Sequence, residues 1–293
     1  DCNDRWVYLD PQRGSIAAVA EAARNLSCVG AEPIAITNNL NFSSPENDIG
    51  YWQLATSCNG ITEACKELET PVTGGNVSLY NESKDDLGNV TPIQPTPVIG
   101  MVGLIDNVNK AISSGWKSEN DDIWLIGSNS SETTLGASSY LEYFQGIVLG
   151  RPPKIDLKDE KLIQEFIRLG ILEGLIASCH DVSDGGLAIS IAECCVLSLK
   201  GVNISLTDSS RIDNLLFSEG GSRIVFSIKK NKNKLWQDFL ENQKVLNNDC
   251  IFIKKIGEVT KEDFKIKHLN NIICNLKIST LTDKFNNAMT NHF

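Results

Sequence analysis

Residues 71–80 read PVTGGNVSLY, an apolar entry followed by two glycines, an amide, a hydroxyl and a phenol in close succession. Gly74 and Gly75 let the backbone pass close to a bound group and take positive φ without a Cβ clash, so that main-chain N–H groups can face an anion. If the segment after the glycines is extended, Asn76 and Ser78 face the same side. A side-chain carbonyl and a hydroxyl aimed at one spot suit a hard cation, a phosphate or a polar substrate. The same ten residues also fit a glycine turn between two strands, with Asn76 in the turn and Ser78 simply exposed.

Working outward, Pro71 closes a long helix predicted over residues 49–69, with Ile49, Trp52, Leu54, Ile61, Ala64, Cys65 and Leu68 on its apolar face. Before it, EPIAITNNLNF predicts a strand running into an Asn-rich loop. Buried Asn needs partners, so Asn38, Asn39 and Asn41 form either a satisfied turn network or part of a polar site. Further back, Ser15 to Gly30 keeps a helical stripe of Ile16, Val19, Ala20, Ala23, Leu26 and Ser27. Its many alanines suit close packing on a sheet, and Gly30 is a natural stop. RWVYL, residues 5–9, reads as a short strand. Beyond the glycine stretch come a polar, hairpin-like insertion at 81–92 and a buried strand in PTPVIGMVGLI. The polar stretch 106–120 holds the expected domain boundary.

The second part opens with DDIWLIG as a strand. SETTLGASSYLEYF then supplies a turn into a helix that only weakly resembles a phosphate-binding turn, since it lacks the P-loop lysine. Residues 158–177 predict an amphipathic helix with Leu162, Ile163, Phe166, Ile167, Leu169 and Leu172 inward. In SCHDVSDGGLAISIAECC, His180, Asp181, Ser183 and Asp184 precede Gly185, Gly186 and an apolar helix. These acids could hold a divalent cation near a phosphate. Equally, Asp184 could cap the helix and His180 could be a satisfied core residue. FSEGGSRIVFSI reads as a turn and an alternating strand, and short strands follow near 251–256 and 272–278.

At 293 residues the chain is long enough for about two domains and a sizeable core. A net charge of -10 argues against non-specific nucleic-acid binding, so a phosphate-bearing ligand must be held by local devices. No apolar run is long enough to span a bilayer, which argues against a membrane role. The nine cysteines lack CxxC spacing and read as reduced core residues of a cytoplasmic protein. His180, His268 and His292 are not spaced as a zinc site. The chain opens at Asp1 without a methionine and is expected to be the later part of a longer protein.

Taken in order, RWVYLDP, AVAEAARNLSCVGAEPIAITNNLNF, WQL, EAC, PVTGGNVSLYNE, PTPVIGMVG, HDVSDGGL and EGGSR resemble the phosphoribosylformylglycinamidine synthase family, from Asp1 to about Gly257. More narrowly, they resemble the later half of its large, ATP-using subunit. The resemblance implies an α+β fold, a two-domain unit of the aminoimidazole ribonucleotide synthase-like type. An α+β sheet domain over 1–112 would precede a larger α/β domain over 113–293, the first sheet pairing with its counterpart in the other half.

It further implies a ligase of purine biosynthesis. ATP activates the formamide oxygen of formylglycinamide ribonucleotide, and ammonia then displaces phosphate to give the amidine. Implied partners are a glutaminase subunit, a small bridging subunit and the missing N-terminal half. Implied contacts are ATP at Asn38 and Gly75, a magnesium ion at Asn76 and substrate at Ser78. No catalytic residue is implied within the chain, because the family's catalytic histidines and most metal-binding carboxylates belong to the other half. Asn38 departs from the aspartate that many members carry. Asp181 and Glu219 fall, by internal duplication, where the other half binds metal and substrate. A non-catalytic, scaffold-like half holding a structural ADP is the alternative. Aminoimidazole ribonucleotide synthase and selenophosphate synthetase share the fold, but PVTGGNVSLYNE and ITNNLNF do not belong to them.

Overall fold

The computed structural model describes residues 1–243 and 247–290; His292 lies outside them. Two side-chain caps set the start of the chain. Asn3 accepts from the Trp6 N–H and opens helix α1 (Asp4–Leu9), and Asp10 accepts from the Arg13 N–H and opens α2 (Pro11–Val29). RWVYL is therefore a helix and not the expected strand, because so short an apolar run carries no period of its own and the flanking caps decide it. Gly30, at φ 91°, ends α2 as expected.

Strand β1 (Glu32–Asn41) leads through α3 (Asp48–Leu68) to β2 (Val72–Ser78). A small hairpin of β3 (Glu82–Lys84) and β4 (Val90–Pro92) comes next, then β5 (Thr96–Leu104). The first sheet has the order β2-β1-β5, with β1 parallel to β2 and antiparallel to β5. Helices α2 and α3 pack together over one of its faces. The α3 stripe differs from expectation at its start: Ile49 and Trp52 are exposed, while Gly50, Gln53, Ser57 and Gly60 are buried. The cause is close helix packing, since a Cβ at Gly60 would lie 2.5 Å from the Gln12 carbonyl oxygen. Small residues fill that seam and turn the large ones outward.

The second sheet is built from β6 (Asp122–Ser128), β8 (Ile176–Asp181), β9 (Gly201–Leu206), β11 (Ile224–Ile228), β12 (Ile251–Thr260), β13 (Asp263–His268) and β14 (Asn271–Lys277), while β7 (Thr133–Thr134) and β10 (Glu219–Gly220) form a separate two-stranded ladder. Its order is β14-β13-β9-β12-β6-β11-β8, antiparallel throughout except for β9 with β13. Helices α5 (Leu157–Leu172) and α8 (Asn233–Glu241) share one core with it, around Trp236 and Phe166. Helices α6 (Gly186–Ser198), α7 (Ile212–Phe217) and α9 (Ile278–Asn286) contribute to the other, and the short α4 (Ser139–Gln145) lies at the junction with the first sheet unit. Strand β11 is buried along its whole length rather than alternating, because it is central and covered on both faces. Leu169 and Leu172 of α5 are exposed. The α+β class follows.

Helix α2 joins the two halves. Its alanines allow close packing on both sides, and it touches β1, β5, α5 and β8. The buried Arg24 Nη1 donates to Glu160 on α5 at 2.8 Å, and Gln164 Nε2 donates to the Ala20 carbonyl at 3.3 Å. All nine cysteines are free; Cys28, Cys65, Cys179, Cys194 and Cys195 are buried, whereas Cys2, Cys58 and Cys250 are exposed. No helix among the described residues is long and apolar enough to cross a membrane.

Candidate functional site

The glycine stretch is a strand, and this decides its geometry. Gly74 and Gly75 lie inside β2 with no positive φ, so the expected anion-facing turn is absent. The close approach is real, but to protein: a Cβ on Gly75 would lie 2.1 Å from Asn38 Oδ1 and 2.8 Å from the Asn38 carbonyl oxygen. Gly75 thus makes room for the Asn38 amide, and Gly74 has nothing within 4 Å of its Cβ position.

Parallel register pairs Asn38 with Gly75, Asn39 with Asn76 and Asn41 with Ser78. Strand alternation then sorts the side chains. Asn38 shares the helix-covered face with the buried Ile36 and Leu40, whereas Asn39, Asn41, Asn76 and Ser78 lie on the open face. The expectation that Asn76 and Ser78 share a side holds.

Thr37, Asn38, Asn39, Gly75, Asn76, Val98 and Gly100 line a shallow concavity of ≈ 490 Å³. Its size falls within the ordinary range of small-molecule sites, roughly 300–1,000 Å³. Gly100, whose Cβ position faces Thr37 on this side of the sheet, leaves bare backbone on its floor, while Asn38 and Gly75 turn their side-chain positions to the other face and border it with main chain. Asn38, Gly75 and Asn76 are therefore brought together, while Ser78 stands farther along β2. Its hydroxyl is engaged by the Asn81 amide, whose Nδ2 donates to Ser78 Oγ at 3.1 Å, to the Ser78 carbonyl at 2.7 Å and to the Phe42 carbonyl at 3.3 Å. Asn41 Nδ2 similarly donates to the Thr96 and Asn39 carbonyls. Part of the asparagine cluster is thus a satisfied network.

Sequence reading missed Asn81, although it directly follows the quoted stretch, and it missed Thr37, Val98 and Gly100, which only strand pairing brings to the concavity.

Asn76, Asn39 and Ser78 offer neutral oxygens. Magnesium is usually held by one or two carboxylates together with phosphates and water. Among the described residues there is no group of three or more His, Cys, Asp or Glu that could hold a metal ion. Asn76 fits as a single ligand, but the chain's own donors do not compose a full magnesium site.

The second dense motif keeps one part of its plainer reading, a partnered His180, and departs from the other, a helix cap at Asp184. Strand β8 ends at Asp181, and Gly185 and Gly186, at φ 76° and 72°, swing the chain into α6. A Cβ at Gly186 would lie 2.5 Å from the Ser218 carbonyl oxygen, so glycine is required there by both backbone and space. Asp184 does not cap α6; it accepts from Arg5 Nη2 at 3.1 Å, and Gly185 holds the cap position. Arg5 also donates to Glu142, Ser139 and the Ala137 carbonyl, tying α1 to α4.

His180 lies between Asp181 Oδ1 at 3.1 Å and Glu193 Oε2 at 3.5 Å. Burial works to lower its pKa, but the hydrogen bond and charge of Asp181, with Glu193, outweigh it and raise it. It is a partnered structural residue. Burial works to raise the Asp181 pKa, but the His180 hydrogen bond and the charge of Arg24 prevail and lower it. Glu219 is fully buried and accepts from the Gly185 and Ser139 N–H groups, both at 2.8 Å. Burial still pushes its pKa up to about 7.

A two-layered first unit joined through α2 to a seven-stranded second unit is the architecture of the AIR synthase related proteins. The family's N-terminal domain model matches residues 1–105 and its C-terminal domain model residues 118–268, so the chain belongs to this family. Over its whole length it is similar to phosphoribosylformylglycinamidine synthase subunit PurL of Prochlorococcus marinus: 64% identical to the strain MIT 9312 protein over 294 residues, which are 38% of that relative. With the strain NATL1A protein it is 50% identical over 298 residues, covering 99% of this chain and 37% of the relative. The chain thus spans well under half the length of these relatives.

Among solved structures, Thermotoga maritima PurL complexed with FGAR superposes with a TM-score of 0.70 at 17% identity, covering 96% of this chain and 45% of that one. Escherichia coli HypE, a hydrogenase maturation protein, superposes at 0.59 with 12% identity, covering 90% and 79%. At such identities the likeness is one of fold.

Proposed function

We propose that the chain belongs to the later half of the ATP-using subunit of phosphoribosylformylglycinamidine synthase, with its two domains meeting near residue 112. The observation that carries this reading is the 64% identity to a PurL subunit along the entire chain. In this reading ATP transfers its terminal phosphoryl group to the formamide oxygen of formylglycinamide ribonucleotide. Ammonia supplied by a glutaminase partner then attacks that carbon and expels phosphate, giving the amidine, in the cytoplasm. Of the solved Thermotoga maritima relatives, one is complexed with ATP and another with FGAR.

The residues here position rather than react. Gly75 and Asn38 border the nucleotide, Asn76 supplies one neutral oxygen toward magnesium, and Ser78 offers a hydroxyl to substrate. Magnesium, when bound, neutralises phosphate charge; its remaining ligands and the acid–base groups come from the other half, with a bridging subunit completing the assembly. Phosphoryl transfer depends mostly on such positioning and charge neutralisation.

The test is amidine formation by the complete polypeptide with its glutaminase. Asn76→Ala should lower kcat/KM by about 10²-fold, and the isolated 293 residues should not turn over. Unchanged turnover in Asn76→Ala, or activity of the isolated chain, overturns the reading.

A second reading is favoured by one observation, the engagement of Ser78 by Asn81. In it the concavity holds a structural ADP. Asn76→Ala would then lower thermal stability while leaving turnover intact.

A further inference from the structure

We propose that the second domain carries a binding site for a small phosphorylated, hydroxyl-bearing metabolite in the cleft over Arg223. This cleft, of ≈ 680 Å³, lies between the β6–β7 connection, the end of β9, α7 and β12, and shares no lining residue with the concavity at Asn76.

The cleft's floor is a cation that the protein itself does not neutralise by contact. Arg223 is only 7% exposed. Its Nε donates to the Gly220 carbonyl and its Nη2 to the Ser218 carbonyl, and among the described residues it forms no ion pair. Glu219, the acid whose charge acts on it, spends one oxygen on the Ser139 and Gly185 N–H groups. A buried guanidinium is ordinarily paired, because desolvating its charge is costly unless an anion compensates.

A second cation stands at the rim: Lys254 Nζ lies 5.2 Å above the Phe252 ring, on an exposed side chain. Of the other charges lining the cleft, Lys255 and Glu132 are paired outside it, and Asp208 stays within it, where the Ser210 hydrogen bonds, helped by the charge of Lys254, hold its carboxyl below the ordinary range. Lys255 pairs with Asp122 at 2.7 Å, Glu132 with Arg13 at 3.0 Å, and Asp208 accepts from the Ser210 N–H at 2.8 Å. What remains for a ligand is Arg223, Lys254, the amides of Asn129 and Asn214 and the hydroxyl of Thr207.

A guanidinium with an ammonium suits a phosphate, and neighbouring amides and a hydroxyl suit sugar hydroxyls. The site sits in a chain of net charge -10, so its positive floor runs against the overall field. The volume accommodates a sugar phosphate.

The test is calorimetric titration of the complete polypeptide with ribose 5-phosphate. Binding is expected for the unaltered protein, with inorganic phosphate competing and free ribose failing to bind. Lys254→Glu, at an exposed position that leaves the core intact, should weaken binding about tenfold or more. Asn214→Ala should weaken it by a smaller factor, and Asn76→Ala should leave it unchanged. No binding, equal binding of ribose, or loss of binding in Asn76→Ala with retention in Lys254→Glu would overturn the proposal.

Discussion

Replacing Gly75 by alanine tests whether the glycine pair serves a close strand contact. The new Cβ would meet Asn38 Oδ1 at 2.1 Å and the Asn38 carbonyl oxygen at 2.8 Å. An ordinary carbon–oxygen contact is about 3.3 Å, so the amide must rotate away. The carbonyl belongs to β1 and cannot rotate, so β2 must shift by about half an ångström from its partner. Overpacking of this kind costs about 1–3 kcal/mol. Stiffening of the unfolded chain returns about 0.4–1 kcal/mol, since neither glycine has a positive φ and alanine is conformationally allowed.

The expected net loss is about 1–2 kcal/mol, a fall in Tm of about 2–4 °C per kcal/mol for a chain of this size class. Gly74→Ala is the matched control. Nothing lies within 4 Å of its Cβ position, so stability should stay level or rise slightly. Urea denaturation and thermal melts of both variants read the difference. Asn38→Ala in the Gly75→Ala background should restore the part due to the amide and not the part due to the carbonyl. Equal stability of the Gly75 and Gly74 variants would refute the reasoning.

The remaining predictions concern the joint between the units. Arg24→Met should cost about 3–5 kcal/mol by leaving Glu160 buried and unpaired, whereas Arg24→Met with Glu160→Met should cost less than either single change. A double variant worse than both singles in urea denaturation would contradict the pairing. Glu219, with a folded-state pKa of about 7 against 4.5 for an ordinary glutamate, holds more protons folded than unfolded between these limits. Its contribution to stability is therefore greatest below pH 4.5 and is lost as pH rises through 7. Glu219→Gln keeps an acceptor for the Ser139 and Gly185 N–H groups and should flatten the decline in stability across that window. An unchanged slope in denaturation midpoints would count against it.

The helices from Ser15 to Gly30 and from residue 49 to 69 were legible because each has the length to display a helical period and a visible stop. The strand at PTPVIGMVGLI and the hairpin at 81–92 were legible for a similar reason, having clear turn boundaries. RWVYL was not, since side-chain caps outside the run, at Asn3 and Asp10, determine its state. Nor was the first turn of α3, where close packing of Gly60 on α2 turns Ile49 and Trp52 into solvent.

For PVTGGNVSLY, sequence alone marked Gly74 and Gly75 as places of close approach or of a turn, and determined that Asn76 and Ser78 share a side once the segment is extended. Both follow from covalent structure, the missing Cβ and the two-residue period of a strand. Only the tertiary structure decided which group comes close. Parallel pairing of β1 with β2 sets Asn38 against Gly75, puts Asn39 beside Asn76 on the open face and brings Val98 and Gly100 from β5 to complete the concavity. Those partners are distant in sequence, and their register is fixed by which face of β1 is buried against the helices.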